Sequence, residues 1–163
     1  MAFFTLYTIG HRPPQWVREG FTDYAKRLPP AWGLELVELK AELRSSDCAA
    51  ERERARAREC ERLRARIPAG SRLVALDERG AAWTTETLAA KLAVWRDAAR
   101  PVAFVIGGPD GFTDAFRREA DELWQLSRLT LPHALVRVIV AEALYRAWSL
   151  LAGHPYHRGG ATE

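Results

Sequence analysis

The stretch that decides the fold is VAFVIGGPDG, residues 102–111. Residues 102–106 are continuously apolar and rich in β-branched and aromatic side chains, which is typical of a strand buried on both faces of a sheet. Residues 107–111 contain three glycines, a proline and an aspartate, so the strand must end in a turn. In open α/β sheets, ligands bind beyond the carboxyl ends of strands. The stretch therefore predicts a central strand that is followed either by a binding loop or by a turn that only changes the direction of the chain.

Strands and helices alternate through the rest of the chain. The hydrophobic patterns predict four more strands, at residues 2–9, 34–39, 72–76 and 126–131. They predict five helices, at residues 13–28, 48–67, 84–99, 113–124 and 132–152. This alternation indicates an α/β fold with a mostly parallel sheet and helices on both of its faces. The chain shows no internal repeat and no low-complexity linker, so residues 1–163 are expected to form a single domain.

Two local signals support the helix and turn assignments. Thr84, followed by Glu86, suits the start of a helix because a threonine hydroxyl can accept a hydrogen bond from a free helix amide. The polar sequence 77–80 predicts a turn directly after the strand at 72–76.

The composition is that of an ordinary globular protein, with 48% hydrophobic and 28% charged residues. No run reaches the roughly 18 apolar residues of a membrane span, and the N-terminus lacks a signal-peptide pattern, so we expect a cytoplasmic protein. The spacing of Cys48 and Cys60 suits neither a disulfide framework nor a zinc site.

The basic residues are almost all arginine. Lys26, Lys40 and Lys91 are the only lysines among 24 basic residues, and the net charge is +3. Arginine binds phosphate bidentately and stacks on bases, which suits an RNA partner. A GC-rich genome would produce the same bias, so the composition permits RNA binding without demonstrating it.

The glycine-rich loop at 107–111 is not a dinucleotide-binding fingerprint. The pattern G-x-G-x-x-G is absent, and Pro109 lacks an amide hydrogen that could bind phosphate. Patterns of nucleophile-elbow hydrolases, zinc proteases and Walker-type nucleotide sites are absent as well.

The helix predicted at 132–152 is apolar around most of its circumference. One half carries a broad apolar arc, and Leu135 and Val138 add apolar surface on the other half. Such a helix is covered either by its own domain or by a second subunit. Arg137 falls inside the apolar arc, where an isolated charge would be costly, and Glu142 and Arg146 have the spacing of a helical ion pair.

The C-terminal sequence His154-Pro155-Tyr156-His157-Arg158 has two interpretations. It is either a loose polar tail or a group of aromatic, imidazole and guanidinium side chains that stack on a base and hold phosphate. No carboxylate or cysteine lies nearby at ligand spacing, so we predict no metal site.

Taken together, these segments closely resemble one known family. The resemblance rests on the glycine loop at 107–111, the sequence 129–133 (Leu-Thr-Leu-Pro-His), the sequence 144–148 (Leu-Tyr-Arg-Ala-Trp) and the tail at 154–158. The family is that of the ribosomal large-subunit pseudouridine N3-methyltransferases (RlmH), small members of the SPOUT superfamily. The resemblance covers essentially the whole chain and is weakest over residues 40–70. Asp110 stands where the family commonly has glutamate, and His11 where it commonly has lysine.

The resemblance implies a SPOUT-type α/β fold with a deep C-terminal trefoil knot that binds S-adenosylmethionine (SAM). It also implies a homodimer in which two subunits complete each active site, without a metal or a membrane. The residues that it places around the cofactor are Leu76, Asp77, Gly107, Gly108, Leu126, Ser127, Arg128, Leu129, Thr130 and Leu131.

The implied reaction is methylation of N3 of a pseudouridine in 23S rRNA on the assembled ribosome. The residues expected on the RNA side of the active site are His133, Tyr145, Arg146, Tyr156, His157 and Arg158. His133 is one candidate for the proton acceptor, beside simple positioning of the substrate. Two other functions stay open: a catalytically inactive ribosome-binding module, and a nucleotide-dependent enzyme that uses the loop at 107–111.

Overall fold

Five parallel strands form one sheet in the order β2-β1-β4-β3-β5. The strands are β1 (Phe4–Ile9), β2 (Leu34–Leu39), β3 (Arg72–Ala82), β4 (Val102–Ile106) and β5 (Glu122–Gln125). The computed structural model describes residues 2–10 and 12–158, the last two through their backbone alone. Every strand pair in this part of the chain is parallel, which confirms the predicted sheet.

In the described part of the chain, five α-helices connect and cover these strands. They are α1 (Gln15–Ala25), α2 (Ala49–Arg66), α3 (Thr85–Asp97), α4 (Asp114–Glu119) and α5 (His133–Ala152), with short 3₁₀ helices at Pro30–Trp32 and Pro155–Arg158. Thr84 caps α3 as predicted, because its side chain accepts a hydrogen bond from the amide of Thr87. No helix in the described residues is long and apolar enough to span a membrane.

The sheet separates two hydrophobic cores, and this explains the unbroken apolar run of β4. Val102, Phe104 and Ile106 point into the larger core, which β4 shares with α1, α3 and α5. Ala103 and Val105 point into the smaller core on the opposite face, with Cys60 and Leu63 of α2 and Phe116 of α4. Because successive side chains of a strand face opposite sides, both must be apolar when both faces are covered.

The charge in the apolar arc of α5 has a partner. Arg137 is 1% exposed, and its Nη1 donates a hydrogen bond of 2.7 Å to Glu38 Oε2 at the end of β2. The pair ties α5 to the strand at one edge of the sheet. A buried guanidinium without a carboxylate would be strongly destabilising, so this contact accounts for the arginine that the hydrophobic pattern left unexplained.

The end of β3 differs from the prediction. The sequence 77–80 was expected to be a turn that follows the strand, but β3 continues to Ala82. The pairing with β5 shifts register between Leu76 and Ala81, so the predicted turn is an irregularity within the strand. The amide of Arg79 donates to Asp77 Oδ1 at 2.8 Å, a local hydrogen bond that competes with the strand ladder. A Cβ on Gly80 would lie 2.4 Å from the carbonyl carbon of Leu123, which explains why only glycine fits there.

The segment from 113 to 131 also differs. The predicted helix at 113–124 ends at Glu119, and the predicted strand at 126–131 is wrong, because the last strand is β5 at Glu122–Gln125. Trp124 pairs in the sheet with Leu76 and is buried in the larger core. Residues 126–131 form a loop between β5 and α5. Short apolar runs do not distinguish helix from strand, and here the pairing with β3 decides the outcome.

Candidate active site

A cleft opens at the carboxyl ends of β3, β4 and β5. It comprises two adjoining cavities of about 550 Å³ and about 630 Å³. Both cavities are lined by Leu76, Asp77, Ile106 and Leu131. Parallel strands bring their carboxyl ends to one edge of the sheet, so loops that are distant in sequence meet there.

The first cavity has an apolar wall and a wall of irregular backbone. Leu76, Ile106, Trp124 and Val136 supply apolar surface. The other wall is the loop whose residues were expected to surround the cofactor: Leu126, Ser127, Arg128, Leu129, Thr130 and Leu131. Within the described chain, no backbone–backbone hydrogen bond outside the regular elements involves this loop. The Leu129 amide donates to Ser127 Oγ at 2.9 Å, and the remaining peptide groups of the loop can serve a planar polar ligand such as a nucleobase.

The second cavity lies beside the glycine loop and is richer in charge. Gly107 and Gly108 line it together with Asp110 and Arg117. Asp77, whose side chain is 7% exposed, binds Arg117 at 2.7 Å. Asp110 binds Arg44 at 3.2 Å, and its carbonyl accepts a hydrogen bond from Arg56 at 2.9 Å. The structure thus brings all ten residues expected around the cofactor to one cleft.

His133 lies between the glycine loop and the start of α5. Its Nε2 is 2.6 Å from the carbonyl oxygen of Gly107. A carbonyl oxygen only accepts, so Nε2 must carry the hydrogen. The imidazole ring also lies against Gly10, where a Cβ would be 3.0 Å from Cε1. Through these contacts His133 connects the loop after β4 with α5, the helix that follows the loop 126–131.

Three of the other expected RNA-side residues, Tyr145, Arg146 and Tyr156, form a cluster near the C-terminal half of α5. The Tyr156 ring lies 4.6 Å from the Tyr145 ring, and the Arg146 guanidinium lies 4.9 Å from the centre of the Tyr156 ring. Glu142 accepts hydrogen bonds from Tyr156 Oη at 3.1 Å and from Arg146 Nε at 2.8 Å. Burial raises the pKa of the Tyr156 hydroxyl, and so do its hydrogen bonds to Tyr24 and Glu142, so it stays protonated.

Within one chain, the residues expected on the RNA side of the active site lie in two separate places. His133 opens α5 and Tyr145 lies three turns further on, which separates them by about 18 Å along the helix axis at about 1.5 Å per residue. His154 is close to Tyr145, with ring centres 6.2 Å apart, and therefore belongs to the far cluster. The side chains of His157 and Arg158, as well as His11, lie outside the described residues.

Sequence reasoning missed two charged residues of these sites. Arg117 at the cleft was assigned to a helix without a role, although it binds Asp77 and Asp114. Arg27 of the first helical segment lies over the rings of Tyr24 and Tyr145. The residues that surround an arginine in the sequence do not indicate which aromatic rings or carboxylates it contacts when those partners are distant in sequence.

Comparison with known proteins agrees with this geometry. Residues 3–157 match the family model described as "Predicted SPOUT methyltransferase". The chain belongs to the SPOUT methyltransferase family. It is 49% identical to the ribosomal RNA large subunit methyltransferase H of Burkholderia ambifaria and 50% identical to that of Burkholderia lata. Each of these alignments covers 97% of this chain and 99% of the relative.

A more distant similarity is to a solved SPOUT-related structure. The SpoU methyltransferase AviRb from Streptomyces viridochromogenes, in complex with the cofactor AdoMet, aligns with a TM-score of 0.40 and 17% identity. The alignment covers 88% of this chain and 56% of that one. SPOUT family membership rests on the family model and on the full-length relatives.

Proposed function

We propose that this SPOUT protein methylates N3 of a pseudouridine in 23S rRNA, with SAM as the methyl donor. The observation that carries the proposal is the cleft in which the loops 107–111 and 126–131 meet, in a chain that matches large-subunit rRNA methyltransferases over nearly its whole length. The action would take place in the cytoplasm, on the assembled ribosome.

The residues present at the cleft fit SAM. The apolar wall formed by Leu76, Ile106 and Val136 suits a purine ring, and the backbone of residues 126–131 can satisfy its polar edge. The second cavity offers Asp77 and Arg117, which are groups of the right charge for an amino acid moiety. When bound, SAM supplies an activated methyl group on a positively charged sulfur.

The protein's task is then to place the acceptor nitrogen in line with that methyl group. N3 of pseudouridine is a weak nucleophile while it is protonated, so loss of its proton must be assisted. His133 holds the carbonyl of Gly107 through Nε2, and we assign it a positioning role at the glycine loop. Arg146 is held by Glu142 in a fixed orientation, as is required of a cation that stabilises the developing negative charge of the base.

A homodimer would bring the two halves of the active site together. The cluster of Tyr145, Arg146 and Tyr156 lies three turns of α5 from the cleft of its own chain, so it would serve the cleft of the partner. His157 and Arg158 would act from the same tail.

The test is nucleoside analysis of 23S rRNA from cells with and without the gene, by mass spectrometry. We expect a methylated pseudouridine to disappear on deletion and to return when purified protein and SAM are added to the mutant ribosomes. Naked rRNA should be a poor substrate, because a protein of net charge +3 has few phosphate contacts to offer. Unchanged nucleosides would refute the proposal.

A binding assay separates this proposal from the alternatives. SAM should raise the thermal midpoint of the protein, whereas ATP and NAD should not, since a ligand stabilises a fold only when it binds the folded state. Stabilisation by ATP or NAD alone would indicate a nucleotide-dependent enzyme. Stabilisation by none of them, with retained ribosome binding, would indicate an inactive binding module.

A further inference from the structure

One buried carboxyl group behind the cleft has no role in the site described so far. Glu59 lies on α2 and is 3% exposed. Its Oε2 accepts a hydrogen bond of 2.8 Å from the amide of Glu42. Its Oε1 is buried and accepts no hydrogen bond from any residue in the described part of the chain. A buried carboxylate oxygen without a donor is costly, so its retention calls for an explanation.

The unsatisfied oxygen lies against the glycine loop. A Cβ on Gly108 would lie 2.6 Å from Glu59 Oε1, so this oxygen lies against the backbone of the loop that lines the cleft, although Glu59 itself lines neither cavity. Two acids that line the cleft pair with guanidinium groups, Asp77 with Arg117 and Asp110 with Arg44. Among the described residues, no guanidinium group forms such an ion pair with Glu59.

We propose that Glu59 supplies the negative charge that lets the cleft prefer the cationic cofactor SAM over its neutral product, S-adenosylhomocysteine (SAH). The proposal rests on the proposed function, and it concerns binding rather than the transfer step. SAM and SAH have nearly the same shape, but only SAM carries a positive charge on sulfur. A carboxylate in a poorly hydrated wall discriminates between them because Coulomb attraction is weakly screened there.

The surroundings of Glu59 make its charge responsive to the cofactor. Burial raises the pKa of the Glu59 carboxyl, and the neighbouring Asp110 and Glu42 act in the same direction, whereas the Glu42 amide and Arg62 oppose them. A cation that binds nearby favours the ionised form. SAM affinity should therefore increase as pH rises through the pKa of Glu59 in the free protein, and SAH affinity should not follow.

This role predicts that loss of the Glu59 charge lowers the affinity for SAM without lowering the stability of the protein. A group whose pKa is raised on folding contributes stability at low pH and loses it as pH rises through the folded-state pKa. Above that pKa the ionised Glu59 therefore costs stability, and Glu59→Gln, which keeps the acceptor for the Glu42 amide, should leave the thermal midpoint equal or higher. A merely structural carboxyl group would not produce lower SAM affinity in an equally stable protein.

The experiment is titration calorimetry of SAM and of SAH against the full-length protein, Glu59→Gln and the control Glu61→Gln. Glu61 lies on the same helix, is exposed and carries the same charge, so the control matches the change in net charge. We expect Glu59→Gln to weaken SAM binding about tenfold and SAH binding less than about twofold, and Glu61→Gln to change neither. The KM for SAM should rise while kcat does not fall, since the sulfonium charge that the carboxylate attracts is largest in the ground state.

Three outcomes decide the matter. Equal losses for SAM and SAH in Glu59→Gln would overturn the inference, as would a wild-type SAM-to-SAH preference that stays constant over the whole pH range in which the protein is folded. The pH measurement needs no variant, so it holds even if Glu59→Gln fails to fold. If wild-type protein binds neither ligand, the proposed function itself fails.

Discussion

Gly108 leaves no space for a side chain. A Cβ there would lie 2.6 Å from Glu59 Oε1 and 2.9 Å from Ile9 Cγ2, and both distances are shorter than an ordinary van der Waals contact. A methyl group at this position would require the side chains of Glu59 and Ile9 or the loop itself to move. The glycine therefore has a packing reason beside its proposed role in cofactor binding.

We expect Gly108→Ala to weaken SAM binding about tenfold or more and to lower the free energy of unfolding by about 1–3 kcal/mol through overpacking. Calorimetry and denaturant unfolding measure the two effects. Gly20→Ala is the matched control, because a Cβ on Gly20 meets only Val138 at 3.4 Å and alanine favours the helix. Wild-type SAM affinity in Gly108→Ala would contradict the assignment of this loop.

Among the elements, those with strong local signals were predictable from sequence. The run at 102–106 is a strand with both faces covered, and Thr84 caps a helix, as the residue patterns indicate. The segment 113–131 was not predictable, because the strand at Trp124 exists only through its pairing with Leu76. The same holds for the site: motifs identified the two loops, whereas the Asp77–Arg117 contact spans forty residues and has no local pattern.

The C-terminal 3₁₀ helix is the element whose removal tests the RNA side. Tyr156 packs on Tyr145 and bonds Glu142, and none of these residues lines the cleft of its own chain. Deletion of residues 154–163 should abolish methylation of ribosomes while SAM affinity stays within about threefold, since the deletion removes no residue of the cofactor wall.

Tyr156→Phe serves as the conservative companion to that deletion. It keeps the ring and loses the hydroxyl's hydrogen bonds to Glu142, at 3.1 Å, and to Tyr24, each worth about 1 kcal/mol. We expect it to retain substantial turnover. Near-normal turnover of the deletion in single-turnover assays would remove the tail from the active site.

At the scale of the whole molecule, the homodimer stays a proposal that rests on the separation of the two halves of the active site along α5. α1 and α5 pack on each other, and Trp16 on α1 and Leu151 on α5 are 60% and 42% exposed. The trefoil knot implied by the family resemblance stays a prediction at this same scale.

The dimer hypothesis makes a sharp prediction when two defective chains are combined. One chain carries Gly108→Ala and has a poor cleft, and the other lacks residues 154–163 and has no tail. If each active site takes its cleft from one subunit and its tail from the other, the heterodimer contains one site built from two intact parts. Two-fold symmetry then predicts about half of the wild-type turnover at low SAM concentration.

The measurement uses differently tagged chains that are co-expressed and purified through both tags. Each homodimer is its own control: tail-less homodimers should be inactive, and Gly108→Ala homodimers should show about a tenth of wild-type turnover at the same SAM concentration. If the cleft and the tail of the same chain formed one active site, the heterodimer would show only about half of the turnover of the Gly108→Ala homodimer. Within one chain, His133 and Tyr145 lie about 18 Å apart along α5. Recovery of activity in the heterodimer would therefore mean that the tail of one subunit acts at the cleft of the other.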